Sequence, residues 1–392
     1  MREHSDPARA DHLNSVLDDA LERVRGMGPE AVHGAPNHGP MAAEALVALG
    51  CSDEVSRWVD DYRRELVPMP QARSPVTEYT WREALGVIQR IGDWQAFFLT
   101  QFAEAPWQTV FAQWIPRLIP GLMAGGTHGL IRTAHAIRAL SEAATPVRVE
   151  ELASALAYWA AYHQTLPGVP RLRGPLDLDR AIEQVPRIGD DRRNKGRREG
   201  VPRELVRVLA EYPDFAAAVD RLGTIEAVDK SLNRLTEMGA RLYLANASTH
   251  PLVFIHALTG PAAVRLLLPH MPVWLREVAL AYCWQAIAAW VAAYGSDTPG
   301  PPDDSAPPSE PKIIGRALGT RDHHAIKLAE ACLREHRLNP QAVYLKAASD
   351  WPLRLFASSR WSVAERVRAG IAIGWDPIER QGVSASANDS LG

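Results

Sequence analysis

A chain of 392 residues with 46% hydrophobic and 23% charged residues has ordinary globular composition, and its length allows one large domain or two to three smaller ones. The formal net charge of −3 offers no overall attraction to nucleic acid or acidic membranes, so neither is expected as a partner. Three scattered cysteines, Cys51, Cys283 and Cys332, make no CxxC pair and read as reduced core residues of a cytoplasmic protein. The first residues, Met-Arg-Glu-His-Ser-Asp, lack the apolar segment of a secretion signal.

Taken in order, the apolar spacing predicts a first helix over 8–26, with Leu13, Val16, Leu17, Leu21 and Val24 on one side. The loop Val32-His-Gly-Ala-Pro-Asn-His-Gly-Pro-Met41 then feeds a helix from Met41 to Leu49, and Pro40 places His38 immediately before its start. Tryptophan-rich helices are expected over 53–66, 80–90, 93–104 and 107–118. Most of their aromatic rings suit a core, and some suit the walls of a pocket for a flat ligand. A histidine-bearing helix follows Gly125, then another from Val149 to His163, ended by Leu166-Pro-Gly-Val-Pro170.

Between 165 and 200 the sequence turns loop-like and ends in Arg192-Arg-Asn-Lys-Gly-Arg-Arg198. Flanking acids, and the lack of any nucleic-acid-binding pattern, make this an exposed loop. Helices are predicted again over 202–221 and 226–243, in a short helix begun by Pro251, and over 274–294. The last contains the apolar run Val278 to Tyr294, which falls short of the roughly 20 residues a membrane span needs and suits a buried helix. Ser296 to Pro311 holds six prolines and reads as a surface linker. Helices beginning near Thr320, over 340–356 and over 360–372 complete a domain spanning 8–372, and residues 381–392 read as a disordered tail. No alternating strand pattern emerges, so the fold class is all-α, a single large multi-helix domain.

The stretch Gly125-Gly-Thr-His-Gly-Leu-Ile-Arg-Thr-Ala-His-Ala-Ile-Arg138 carries the most chemistry. Leu130, Ile131, Ala134, Ile137 and Leu140 repeat at helical spacing, while His128 and Arg132, four apart, share a face. Dinucleotide and P-loop glycine motifs, HExxH and GxSxG are all absent. The one ExxH pair, Glu30 to His33, lies beside a loop and carries no weight against the two such pairs a di-iron bundle needs.

Histidines in apolar or glycine-lined settings remain: His38, His128, His135, His256 and His324. Neutral imidazole suits iron, zinc, copper and nickel, but a single histidine on an apolar helix is ordinarily a hydrogen-bonded core residue. His128 and His135 are seven apart, a rise of roughly 10 Å on a regular helix. They do not both ligate one ion, which leaves His135 to support a ligand or face a substrate. Lys327 shares a helix face with His324. Its ammonium cannot ligate. Buried beside a cation it would favour the neutral amine, which carbon dioxide can convert to a carbamate. The plain alternative is a lysine reaching to solvent.

Asn37-His-Gly-Pro-Met-Ala-Ala-Glu-Ala-Leu46, Thr127-His-Gly-Leu-Ile-Arg-Thr-Ala-His-Ala136, Ala155-Leu-Ala-Tyr-Trp-Ala-Ala161, Phe254-Ile-His-Ala257 and His324-Ala-Ile-Lys327 resemble, in this order, the questin oxidase family in its bacterial branch. Its characterised fungal members oxidise anthraquinones and related polyketides and open a carbocyclic ring with dioxygen. Some are described as Baeyer–Villiger-type enzymes, and a non-haem iron centre with several histidines and a modified lysine is also associated with the family. The resemblance implies metal ligation by His38, His128, His256 and His324, with carbamylated Lys327 as an anionic fifth group. Where the fungal pattern has a second histidine one turn after the first, this chain has Arg132. That arginine suits a substrate phenolate or enolate.

The expected function is therefore an Fe(II)-dependent, or other divalent-metal-dependent, oxygenase. Dioxygen and an aromatic small molecule would be its partners, and Arg132 and His135 would steady developing oxyanion charge. Two alternatives stand beside it. One is a cofactor-free or NADPH-assisted monooxygenase, for which no nucleotide motif is present. The other is a non-catalytic helical protein that binds aromatic metabolites.

Overall fold

The structure is a computed structural model that describes residues 7–32, 34–188, 201–223, 226–296 and 305–358. The basic loop 192–198, His33, the expected helix 360–372 and the tail 381–392 lie outside the described residues. Of the linker 296–311, residues 297–304 also lie outside them, while Glu310 and Pro311 already belong to a helix.

Among the described residues, seventeen helices make the domain all-α. In chain order they are α1 (Pro7–Arg23), α2 (Gly39–Ala48), α3 (Ser52–Tyr62), α4 (Trp81–Ala84), α5 (Ile91–Glu104), α6 (Trp107–Leu118), α7 (His128–Glu142) and α8 (Pro146–Ala161). Then come α9 (Leu178–Glu183), α10 (Val201–Ala210), α11 (Pro213–Val219), α12 (Val228–Asn246), α13 (Pro251–Leu267), α14 (Val273–Tyr294), α15 (Glu310–Thr320), α16 (His323–Leu338) and α17 (Ala342–Ser358). The segment expected as one helix over 202–221 is two, because Pro213 starts a new helix rather than continuing the old one. The expected helix 80–90 is broken after α4, where Gly86 takes φ +76°.

One feature corrects the strand-free expectation. Met27–Ala31 (β1) pairs antiparallel with Leu66–Pro68 (β2), matching Met27 to Pro68 and Ala31 to Leu66. Met-Gly-Pro-Glu-Ala has no alternation of strand-forming residues to announce it. The ribbon forms because Gly28 lets the two backbones close up, since a Cβ there would lie 2.9 Å from the Pro68 carbonyl oxygen.

Two apolar clusters fill the interior, and α2, α7 and α16 contribute residues to both. Among the described residues, one segment, Pro251–His270, is long and apolar enough to cross a membrane, and 78% of its apolar window is buried inside the protein; the run 278–294 falls short, as expected. The element pairs that decide the site are α2 with α7, α7 with α13, α13 with α16, and α16 with α2. These four helices close a ring.

Candidate metal centre

Each helix of that ring brings one of the four expected histidines to its centre. His38 caps α2, His128 is the first residue of α7, His256 lies in α13, and His324 is the second residue of α16. They are 1%, 6%, 8% and 6% exposed. The His38 ring centroid lies 4.7 Å from those of both His128 and His324, and His128 and His256 are 4.6 Å apart. One nitrogen from each of His128, His256 and His324 falls within 4.8 Å of the others. Residues spread over more than 280 positions of sequence therefore meet in one place.

Local structure explains each placement. The β1–β2 ribbon holds His38, because Asn37 donates its backbone N–H to the Pro29 carbonyl (2.7 Å) and its side-chain amide to that of Gly28 (2.9 Å). The His38 N–H then donates to the Tyr62 hydroxyl oxygen at 2.9 Å. Ahead of His128, three consecutive residues are left-handed: Gly125 (φ 56°), Gly126 (φ 68°) and Thr127 (φ 73°). Thr127 pays for that conformation with backbone strain of about 1–3 kcal/mol, of the kind found at functional sites. The turn also brings the Gly125 carbonyl against the His128 ring.

Nδ1 of His128 lies 2.7 Å from the Gly125 carbonyl oxygen, and Nδ1 of His256 lies 2.7 Å from that of Leu252. A carbonyl only accepts, so both Nδ1 atoms carry the proton and both Nε2 atoms carry a lone pair. Yet the two Nε2 atoms face each other at 3.2 Å. Burial holds both rings well below the usual imidazole range, His256 at about 3. A bridging proton is therefore disfavoured, and two buried lone pairs point at one another. A cation resolves this. Two imidazoles on one transition ion, with bonds of about 2.1 Å, hold their nitrogens about 3.0–3.4 Å apart. Nδ1 of His324 is buried without a hydrogen-bond partner. The donor set fits a divalent ion that favours nitrogen ligands.

Lys327 does not reach to solvent. It is 4% exposed, with Nζ 2.8 Å from Nδ1 of His38, and burial lowers its pKa to about 7 against the opposing pull of Asp322. A neutral amine is thus accessible next to the histidines.

The two residues expected to act on substrate are differently placed. Arg132 gives two donors to Glu151 (2.6 and 2.8 Å), and its Nη1 is buried without a partner. His135 lines a void of about 10 Å3 together with His256 and Lys327, which is room for one water-sized occupant. Its Nδ1 lies 2.6 Å from a Glu44 carboxylate oxygen.

Glu44 begins a buried ionic chain that composition could not reveal. Arg138 bridges Glu44 to Glu330, and Arg334 bridges Glu330 (3.0 Å) to Glu335 (2.7 Å). Arg265 closes on Glu335 at 2.7 Å. These residues belong to α2, α7, α16 and α13, the same four helices that carry the histidines.

The sequence reading also missed His323, whose ring stacks on His38 with centroids 3.9 Å apart. The His-His pair directly after the capping Asp322 was the available signal. The tryptophans are mostly core. Trp94, Trp114, Trp159, Trp284 and Trp351 are fully buried. Trp81, Phe97 and Trp114 line a groove of about 890 Å3, but it shares no lining residue with the void at the histidines.

An all-α domain whose helices converge on buried imidazoles and one buried lysine defines a class of candidate metalloprotein. The questin oxidase-like family matches residues 35–332, and the chain belongs to it. The chemistry attached to that family name is oxidation. No curated protein matches the chain.

Proposed function

We propose that the protein is a metal-dependent oxygenase of the oxidoreductase class, acting on a polycyclic aromatic polyketide or quinone and possessing ring-cleaving chemistry. His38, His128, His256 and His324 would hold the ion, with Lys327 as a carbamate. The observation that carries the reading is the pair of unprotonated Nε2 atoms facing each other at 3.2 Å in a buried site. A binding protein using its histidines only as internal hydrogen-bond partners would need one of those rings charged, which burial opposes.

When bound, a redox-active divalent ion such as Fe(II) would supply Lewis acidity and one-electron chemistry toward dioxygen. The chain's own residues do the rest. The Gly125 and Leu252 carbonyls fix the tautomers of His128 and His256. Glu44 holds the proton on Nδ1 of His135 and leaves Nε2 as that ring's acceptor. Arg132 retains the two N–H groups of its buried Nη1 for a substrate oxyanion after satisfying Glu151. Ile131, Ile255 and Ala263 form the apolar part of the lining of the void beside His135, and His256, Lys327 and Glu330 are among its polar part. A polycyclic ring needs several hundred Å3, so substrate entry requires the elements over the centre to part. The family membership supports an aromatic substrate.

Elemental analysis of protein purified without chelator tests the reading. Near one equivalent of iron or another transition metal is expected, lost in His256→Ala while the helical circular dichroism persists. Less than about a tenth of an equivalent in the wild type, with none taken up on reconstitution, would remove it.

A further inference from the structure

Of the five clustered imidazoles, four are buried and one, His323, is only half-buried. His323 opens α16, and its ring lies face to face with His38, 21° from parallel, with the Tyr62 ring 5.8 Å away on edge. By distance alone His38, His323 and His324 form a second set of nitrogens within 4.8 Å. Ring orientation argues against a chelate there. Imidazole lone pairs lie in the ring plane, so two stacked rings send theirs along nearly parallel lines. An ion bonded to both would sit far out of at least one plane.

His38 needs such a neighbour more than His128 and His256 do, and it is the ring that His323 stacks on, whereas His324 meets His323 at a tilt of 46°. His128 and His256 are anchored in plane by carbonyls of their own turns. His38 sits on the turn before α2, and its ring has only Lys327 in plane, a residue that is itself a candidate ligand. We infer that His323 is a positioning residue, whose ring covers one face of His38 and holds that imidazole at 79° to His128 and 62° to His324. The inference rests on the metal-centre reading. It adds a fifth histidine that acts through a ligand and does not bind the ion.

Co(II) titration of the full chain, followed by its ligand-field absorption, tests it. His323→Ala is expected to weaken Co(II) binding by about tenfold and alter the spectrum, as loss of an orienting neighbour does. His323→Phe keeps a flat cover without a ligating nitrogen, and should restore affinity to within about twofold together with the wild-type spectrum. His323→Leu covers without a flat face. It is expected to weaken binding as alanine does, and serves if the alanine variant does not fold. Unchanged binding by the alanine or leucine variant would overturn the positioning role alone. Equal loss in the alanine and phenylalanine variants, with one equivalent of Co(II) fewer, would overturn it by making His323 a ligand. No Co(II) uptake by the wild type would overturn the metal centre and this role together.

Discussion

Adding one methyl group at Gly129 should both destabilise the fold and spoil the metal centre. A Cβ there would lie 2.8 Å from the Trp159 Cα, 2.9 Å from its Cβ and 3.0 Å from its Cγ. Comfortable carbon contacts are about 3.5–4.0 Å, so α7 must back away from α8 by roughly 0.7 Å or more. Trp159 cannot yield, since it is fully buried and its indole N–H donates to the Gly121 carbonyl at 3.0 Å. Alanine gains up to about 1 kcal/mol in helix propensity, whereas overpacking against a fixed neighbour costs about 1–3 kcal/mol or more. Contact with backbone as well as side chain puts this site at the upper end, for a net loss of about 1–2 kcal/mol. His128 precedes Gly129 and moves with it, while metal–ligand distances tolerate only about 0.2 Å. Thermal melts should therefore show a fall in Tm of a few degrees, and Co(II) affinity should drop by tenfold or more. Gly315 in α15 is the control, because a Cβ there meets nothing within 4 Å; Gly315→Ala should melt at or above the wild type. If Gly129→Ala melts as high as the control and binds Co(II) normally, the close packing of α7 on α8 does not set the position of His128.

Glu330 gives a pH signature. Burial would raise its pKa, but Arg138 and Arg334 override that and hold it far below the usual carboxylate range. A depressed folded pKa contributes stability that is complete above the unfolded value of about 4.3 and is lost as pH falls below it. Glu330→Gln should cost about 1–3 kcal/mol at pH 7, because Arg138 and Arg334 each lose one of two carboxylate partners and keep Glu44 and Glu335 respectively. The gap to the wild type in urea unfolding should narrow from pH 5 to pH 3, and a constant gap would contradict the assignment. At Lys327, amine and carbon dioxide combine to a carbamate with release of a proton. Protein equilibrated with 13C-bicarbonate should show a retained carbamate carbon by NMR that disappears on unfolding and in Lys327→Gln. Its absence at saturating bicarbonate would leave an all-histidine ligand set.

The helices were legible because their apolar residues recur at helical spacing, as along α1 and α7. The ribbon of β1 and β2 was not, since its cause is a close approach at Gly28 rather than a pattern of residue types. Individual histidines were legible from their neighbours, the glycine-flanked His128 and the proline-preceding His38 above all. Their convergence came from family resemblance, because no spacing rule links positions 38, 128, 256 and 324. Arg132 was singled out for a substrate oxyanion, and the fold buries it. Its bidentate hold on Glu151 stayed hidden because helix pairing across 19 residues leaves no local trace. Glu44 stood inside a recognised motif without a role until the fold set it against His135 and Arg138.

That chain of buried charges bears on what the centre must contain. Glu44, Glu330 and Glu335 face Arg138, Arg334 and Arg265, three charges of each sign. Such an array adds little net stability, and its better-supported use is to fix one arrangement of the elements it joins. Here it joins the four helices that bring the histidines together. Because it is balanced internally, it has no spare negative charge to lend. Asp322 is the fixed negative charge that acts on this centre, favouring the charged forms of Lys327 and His323, while its Oδ1 accepts from the Ala325 N–H and the Trp351 indole N–H at 2.8 Å each. A divalent cation among neutral imidazoles would thus bring two charges into a dry interior against the one of Asp322, which is costly. The remaining compensation would come from a group that becomes anionic only when the centre is assembled. Lys327 as a carbamate and an ionised substrate oxygen are the two candidates, and either one together with Asp322 would balance a divalent ion.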